Sequence, residues 1–432
     1  MALAIGCERS LVIREMDPEP ELRCETPRLT VTPLEMSCVG AFPLEMAVSE
    51  DGRFAVNFAT YERWTGLFPD DLGARTALFN ARGELLWTHD GTSTLPHEVV
   101  FAPAFAPDGS LWTSGRFSGD LAFGNASVTA VGGVDIYVAR YAADGEASLM
   151  RVGGDNTDIE GGLASAGDLM ILGAHLGEER AAEVILQPTF MGLSRTGAVL
   201  WSERLVSNHP PWLYPLTRSG DGKVWAYLGG VRDMKVADLD LSFPEHHDTL
   251  LELDVDQRGI RRARLAATLA MHSTRVAYLP HPSGRISVAG GSNAREGTLG
   301  GVSLPTEGRW LLLGAMRNER ELAWLKTLGS GADKVHAAAA QGEQVVVHME
   351  LGDSAVMGDL DLGPGTYVIA FDSTGAVAWH QPVPALTTVS LDTRGDDEVF
   401  LVGCLVQGQD AGAGLSLTLI HVETHCHPGR GR

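Results

Sequence analysis

Cysteine is scarce in this chain of 432 residues, and the five that occur lie near its ends, at Cys7, Cys24, Cys38, Cys404 and Cys426. The long middle therefore has no disulfide ladder and no cysteine-rich metal framework. Basic residues are short too: 33 Lys and Arg against 55 Asp and Glu give a net charge of −22. So acidic a surface repels phosphate backbones and anionic lipid, so neither nucleic acid nor a bare membrane surface is an expected partner. No apolar run approaches the roughly 18–20 residues of a membrane-spanning helix. Nucleophile and metalloprotease signatures are missing, with no Gly-x-Ser-x-Gly and no His-Glu-x-x-His. Glycine pairs such as Gly229-Gly230 and Gly290-Gly291 end apolar runs and open no helix, which argues against a phosphate loop.

What is abundant is glycine, at 51 residues, and much of it is periodic. Turn glycines after an apolar run recur at Gly52, Gly109, Gly167, Gly222, Gly284, Gly342 and Gly395, spaced by roughly 57 residues. A second marker is a turn glycine followed four residues later by an aromatic or apolar residue. It appears as Gly83–Trp87, Gly145–Leu149, Gly197–Trp201, Gly259–Ala263 and Gly375–Trp379, with a sixth copy, Arg320–Trp324, lacking the glycine. Val99 to Leu149 is the clearest unit, with four strand-like runs joined by three turns. A period of this length with four strands per unit predicts an all-β chain, a β-propeller of four-stranded blades. Val335-His-Ala-Ala-Ala-Ala340 has helical propensity, but its place in the repeat makes it the innermost strand of a blade.

Seven first markers and six second markers predict seven blades, the last lacking its outer strand. The spare segment Arg28-Leu-Thr-Val-Thr32 supplies it, so an N-terminal strand closes the ring and removes two sheet edges. Residues 1–27 are read as a tether or signal remnant and 28–432 as one propeller, expected to act as a monomer. Antiparallel closure puts Cys24 and Cys426 at one end of the closing pair, a candidate disulfide. Cys38 and Cys404 fall together at the other end with a strand between them, a second candidate.

Gly115-Arg-Phe-Ser-Gly119-Asp-Leu-Ala-Phe123, followed by Gly132-Gly133-Val-Asp135-Ile-Tyr-Val-Ala-Arg-Tyr141 and Asp144-Gly145, resembles the SBBP-type β-propeller repeat of bacterial surface and secreted proteins. Weaker echoes are Asp238–Leu241 with Leu250–Leu253, and Gly358–Leu362 with Tyr367–Phe371. The resemblance implies a propeller and an exported protein, and no catalytic residue. The start, Ala4-Ile5-Gly6-Cys7, resembles the lipobox of bacterial lipoproteins, which makes Cys7 a candidate lipidation site. Together these predict an extracytoplasmic protein, in the bacterial envelope or secreted, that meets the membrane only through a lipid anchor.

Candidate chemistry is thin. His421-Val-Glu423-Thr-His425-Cys426-His427 is the densest ligand cluster, but on a strand residues four apart lie about 13 Å apart, too far to share a metal. Asp238/Asp240, Asp359/Asp361 and the polar run Glu245-His246-His247-Asp248 read as solvated turns rather than calcium or metal sites. Phe371–Trp379 and Leu193–Trp201 resemble the docking motif of quinoprotein dehydrogenase propellers, and shared blade packing is the simpler reading of the repeated Trp87, Trp201, Trp324 and Trp379. No cofactor and no catalytic residue are therefore assigned. The expected function is a surface-associated binding or scaffold module that takes a protein or carbohydrate ligand at one propeller face. The loops within Ala59–Arg75 and Arg232–Asp248 are the places expected to form that face. The alternative is an enzyme, quinoprotein-like, with its site at the channel mouth.

Overall fold

A computed structural model describes residues 22–24, 26–37, 44–63, 70–93, 99–100, 103–180, 183–218, 223–270, 274–292, 298–299, 302–303, 310–318, 321–328, 334–357, 360–406, 415–424 and 426–428. Seven antiparallel sheets surround a central channel, which makes the chain an all-β seven-bladed propeller. The innermost strands are Leu44–Val48, the broken pair Val99–Val100 and Ala104–Phe105, Ile159–Ala166, Trp212–Arg218, Thr274–Pro280, Lys334–Gln341 and Leu386–Arg394. The alanine-rich run is indeed a strand: Ala337 to Ala340 pair with Val345 to His348, and small side chains suit the crowded axis.

The two marker series are the two tight turns of each blade. They define a turn face, opposite a loop face that carries the connections between strands two and three and between blades. The described turn glycines of both series have positive φ, for example 77° at Gly109 and 82° at Gly375. Alternation does the rest, because each sheet buries both faces against neighbouring blades. Val345, Val347, Met349 and Leu351 thus join the core toward blade 5, while Val346 points toward blade 7.

Ring closure is as expected. Arg28–Ser37 pairs with Leu415–Glu423, from Arg28 opposite Glu423 to Thr32 opposite Leu419, as the outer strand of blade 7. Leu22–Cys24, at the end of the segment read as a tether, forms a further short ladder with Cys426–Pro428 and sets Cys24 opposite Cys426. At the other end Cys404 is 2% exposed and disulfide-bonded; Cys38 and Cys7 lie outside the described residues.

The SBBP-like motif has a structural reason. Its first half is a hairpin, Asp120–Phe123 with Ala126–Thr129, that leaves blade 2 and adds to the outer strand of blade 1 through Leu121 opposite Ser93 and Phe123 opposite Gly91. Leu121 and Phe123 are fully buried there. The two weaker echoes sit in the matching place: Met234 and Val236 pack against blade 3, and Met357 and Leu362 against blade 5. Each hairpin clasps the preceding blade. In the second half of the motif, fully buried Asp135 accepts Val131 N–H at 2.7 Å and Arg151 Nη1 at 3.0 Å. Asp158 of blade 3 faces it, and burial pushes the Asp158 carboxyl up. A Cβ on Gly153 would lie 2.3 Å from Asp158 Oδ2 and 2.5 Å from Asp135 Oδ1, so only glycine lets the two blades meet here.

The repeated tryptophans join blades. A Cβ on Gly375 of blade 6 would lie 2.7 Å from the Trp324 ring of blade 5, and one on Gly145 of blade 2 would lie 3.0 Å from Trp87 of blade 1. Trp201 donates its indole N–H to Asp256 O of blade 4 at 2.8 Å. At the closure Leu34 and Thr32 of the N-terminal strand take this place over Gly83. Truncating this packing is expensive: Trp324→Ala is expected to lower unfolding stability by about 3–5 kcal/mol, measured by urea denaturation. A loss below about 1 kcal/mol would show that Trp324 does not hold blades 5 and 6 together.

Candidate functional site

The innermost strands of all seven blades run out toward the turn face and line one cavity of about 970 Å³. Its wall holds six carboxylates and two guanidinium groups, so it carries the acidic bias of the whole chain. The positively charged groups are already engaged. Arg53 pairs with Asp51 at 2.8 Å, and Arg218 donates to Ser165 Oγ at 3.3 Å.

Asp392 and Ser390 fasten the channel where the ring closes. Asp392 Oδ2 accepts Val48 N–H at 2.7 Å, Oδ1 accepts Thr393 N–H at 2.8 Å, and Ser390 Oγ accepts Met46 N–H at 3.1 Å. These bonds tie blade 7 to blade 1, and Thr393 donates to Ala340 O of blade 6 at 2.6 Å. Burial pushes the Asp392 carboxyl up to about 6, because its two backbone donors only partly offset the lost water. Glu45, on the first innermost strand, differs. It lines the cavity and has no hydrogen bond or ion pair among the described residues, and burial alone pushes its carboxyl up to about 7. One buried carboxyl is thus structural and the other is uncommitted.

The candidates read from sequence are scattered. His421 stacks on Phe400 with ring centroids 4.5 Å apart and lies 3.2 Å from Glu398; His425 is outside the described residues. Among the described residues no group of three or more His, Cys, Asp or Glu is placed to hold a metal. Asp238 accepts Ala263 N–H at 3.2 Å, Asp240 and Asp361 are hairpin positions facing water, and Asp359 is outside the described residues. His247 stacks on Phe243, while Asp248 accepts Tyr227 O–H at 2.7 Å and Gly230 N–H at 3.0 Å. The stretches expected to form binding loops are largely strand: Phe54–Arg63 with Asp70–Phe79, and Val224–Val236 with Leu239–Asp256. Long ladders satisfy their backbone groups, which open loops would leave to water. Glu45, Ser390, Asp392 and Arg218 belong to no sequence motif. The available signal was a carboxylate inside an innermost strand of otherwise small or apolar residues.

No family model matches the sequence, and no curated protein matches it. Solved structures do. A protein of unknown function from Dyadobacter fermentans is 10% identical, with a TM-score of 0.45 over 94% of this chain and 100% of that one. A protein of unknown function from Bacteroides caccae is 11% identical, with a TM-score of 0.37 over 79% and 94%. An α-L-arabinofuranosidase from Fusarium graminearum is 10% identical, with a TM-score of 0.40 over 92% and 98%. None of these likenesses reaches a TM-score of 0.5, and none assigns a role to this chain.

Proposed function

We propose that this protein is an exported, surface-associated binding module whose channel cavity captures a small cationic ligand, an amine or guanidinium compound. One observation carries the reading: Glu45, uncommitted and drawn from water, lines an acidic cavity built by all seven blades. A cation entering there gains a charge-assisted partner in a site that screens poorly. Export rests on the lipobox-like start with Cys7, and on the SBBP-like repeat. Disulfides Cys24–Cys426 and Cys38–Cys404 would pin both ends of the closing strand in an oxidising compartment.

Affinity for a cation requires the ionised carboxylate, so it rises as pH climbs through about 7 and falls below it. Calorimetric titration with spermidine and with arginine methyl ester at pH 6 and pH 8 tests this. Binding that strengthens at pH 8 and weakens on the order of tenfold in Glu45→Gln supports the reading. Binding of neither probe at pH 8, or an indifferent E45Q, overturns it.

A carboxyl near neutrality also suits a general acid, which favours as second reading an enzyme with its site at the channel mouth. Turnover of a bound ligand by the wild type but not by E45Q would replace the first reading with this one.

A further inference from the structure

The opposite end of the blade 4 innermost strand carries a different surface. Trp212 is 56% exposed, whereas Trp112 and Trp225 are 1% exposed, Trp379 4% and Trp324 8%. It starts the strand that ends at Arg218, which puts it on the loop face, roughly 13 Å along the strand from Leu216, where the acidic cavity begins.

The ring is held rather than loose. His175, 2% exposed, lies beside it with ring centroids 5.3 Å apart, and His175 Nε2 accepts Leu213 N–H at 3.0 Å. The connection leading to Trp212 is braced along its length. Leu205 N–H donates to Pro188 O at 2.9 Å, and Val206 and Lys235 exchange backbone bonds of 3.0 and 2.8 Å. Ser207 Oγ donates to His209 O at 2.7 Å and accepts His209 N–H at 3.0 Å. Asn208 donates from its backbone and side chain to Asp233 Oδ2 at 3.0 and 2.8 Å, and His209 Nδ1 lies 3.3 Å from Asp233 Oδ1. A flat, exposed ring thus ends a connection braced by hydrogen bonds, so little ordering entropy remains to be lost on binding.

We propose that Trp212 is the platform of a carbohydrate site that takes a neutral pyranose unit. One face of a pyranose is a patch of C–H groups that packs on an indole, while its equatorial hydroxyls reach sideways to polar partners. Asn208 and His209, four and three residues before Trp212, and Asp233, which both contact, would supply such partners, and aromatic rings with one wet edge suit this kind of contact. The net charge of −22 selects against sulfated and uronic polymers. This site is independent of the channel and does not rest on its ligand.

The test is calorimetric titration of the full chain with xylohexaose, cellohexaose and mannohexaose, with heparin as the anionic comparison. At least one neutral hexasaccharide is expected to bind, to weaken on the order of tenfold in Trp212→Ala, to retain most affinity in Trp212→Phe, and to be unaffected by E45Q. Thermal melts establish that each variant is folded, and W212F keeps the test open if W212A is not. Binding of heparin alone, of no sugar, or equally by the wild type and a folded W212A overturns the proposal. So does concentration-dependent self-association that W212A abolishes, which would make Trp212 a protein contact.

Discussion

A chain that begins at Val39, and so lacks Arg28–Ser37, is expected to lose its single cooperative unfolding transition and to self-associate. The deleted strand completes blade 7, so its loss frees the edge of Leu415–Glu423 along its length. It also uncovers the core between blades 7 and 1, where Leu34 is 4% exposed beside Phe400, Val402, Leu417 and Leu419. Full burial of one such side chain contributes about 1.5–3 kcal/mol, and several are uncovered at once. The sum is comparable with the roughly 5–15 kcal/mol net stability of a whole domain. A freed, flat apolar edge is also a template for pairing with another copy. Calorimetry and sedimentation of the shortened chain check this, and a synthetic peptide of residues 26–37 is expected to restore the transition. A shortened chain that melts in one sharp transition and stays monomeric would show that the closing strand is dispensable.

The second large effect belongs to His348. It is fully buried on the face of blade 6 turned toward blade 7, and neither ring nitrogen has a hydrogen-bond partner among the described residues. His336 lies beside it at 5.3 Å and bonds Glu350, which also pairs with Lys334 at 3.4 Å. Burial first, then the neighbouring imidazole, pull the His348 pKa down from 6.5 to about 3. The folded state therefore keeps His348 neutral where the unfolded chain takes up a proton. Its contribution is fully present above about pH 6.5 and is lost as pH falls toward 3, on the order of 4 to 5 kcal/mol in all.

His348→Leu removes that acid limb. It also removes an unpartnered buried polar group, which alone favours the variant by about 1–3 kcal/mol near neutrality. Denaturant midpoints at pH 7.5 and pH 4.5 separate the two effects: the advantage of H348L is expected to grow by about 3 kcal/mol at the lower pH. Glu45 and Asp392 act in the opposite sense. Their folded pKa values are raised, so their contribution is fully present below their ordinary values and is lost as pH rises through about 7 and about 6. Both keep some exposure to the channel, which screens and shrinks that term. Parallel pH profiles for wild type and H348L would show that His348 is not the buried neutral base described here.

Much of this molecule is local, and what is local was legible. A tight turn needs a glycine at positive φ wherever it occurs, so Gly109 and Gly375 announce themselves without their neighbours. Strands buried on both faces read as short apolar runs between such turns, and their number implies seven blades and the closing role of Arg28–Thr32. Tryptophans at one repeat position read as packing, and the Gly375–Trp324 contact shows why. What the sequence could not decide is which residues meet. Glu45 and Asp392 lie on strands at opposite ends of the chain, and only ring closure puts both on one cavity wall. Their pKa values are set by how many atoms the other blades place around them, a property of the assembled ring. Trp212 is one of nine tryptophans by composition. It is exposed at the loop-face start of its strand, while a residue on the same strand, Leu216, is buried in the core.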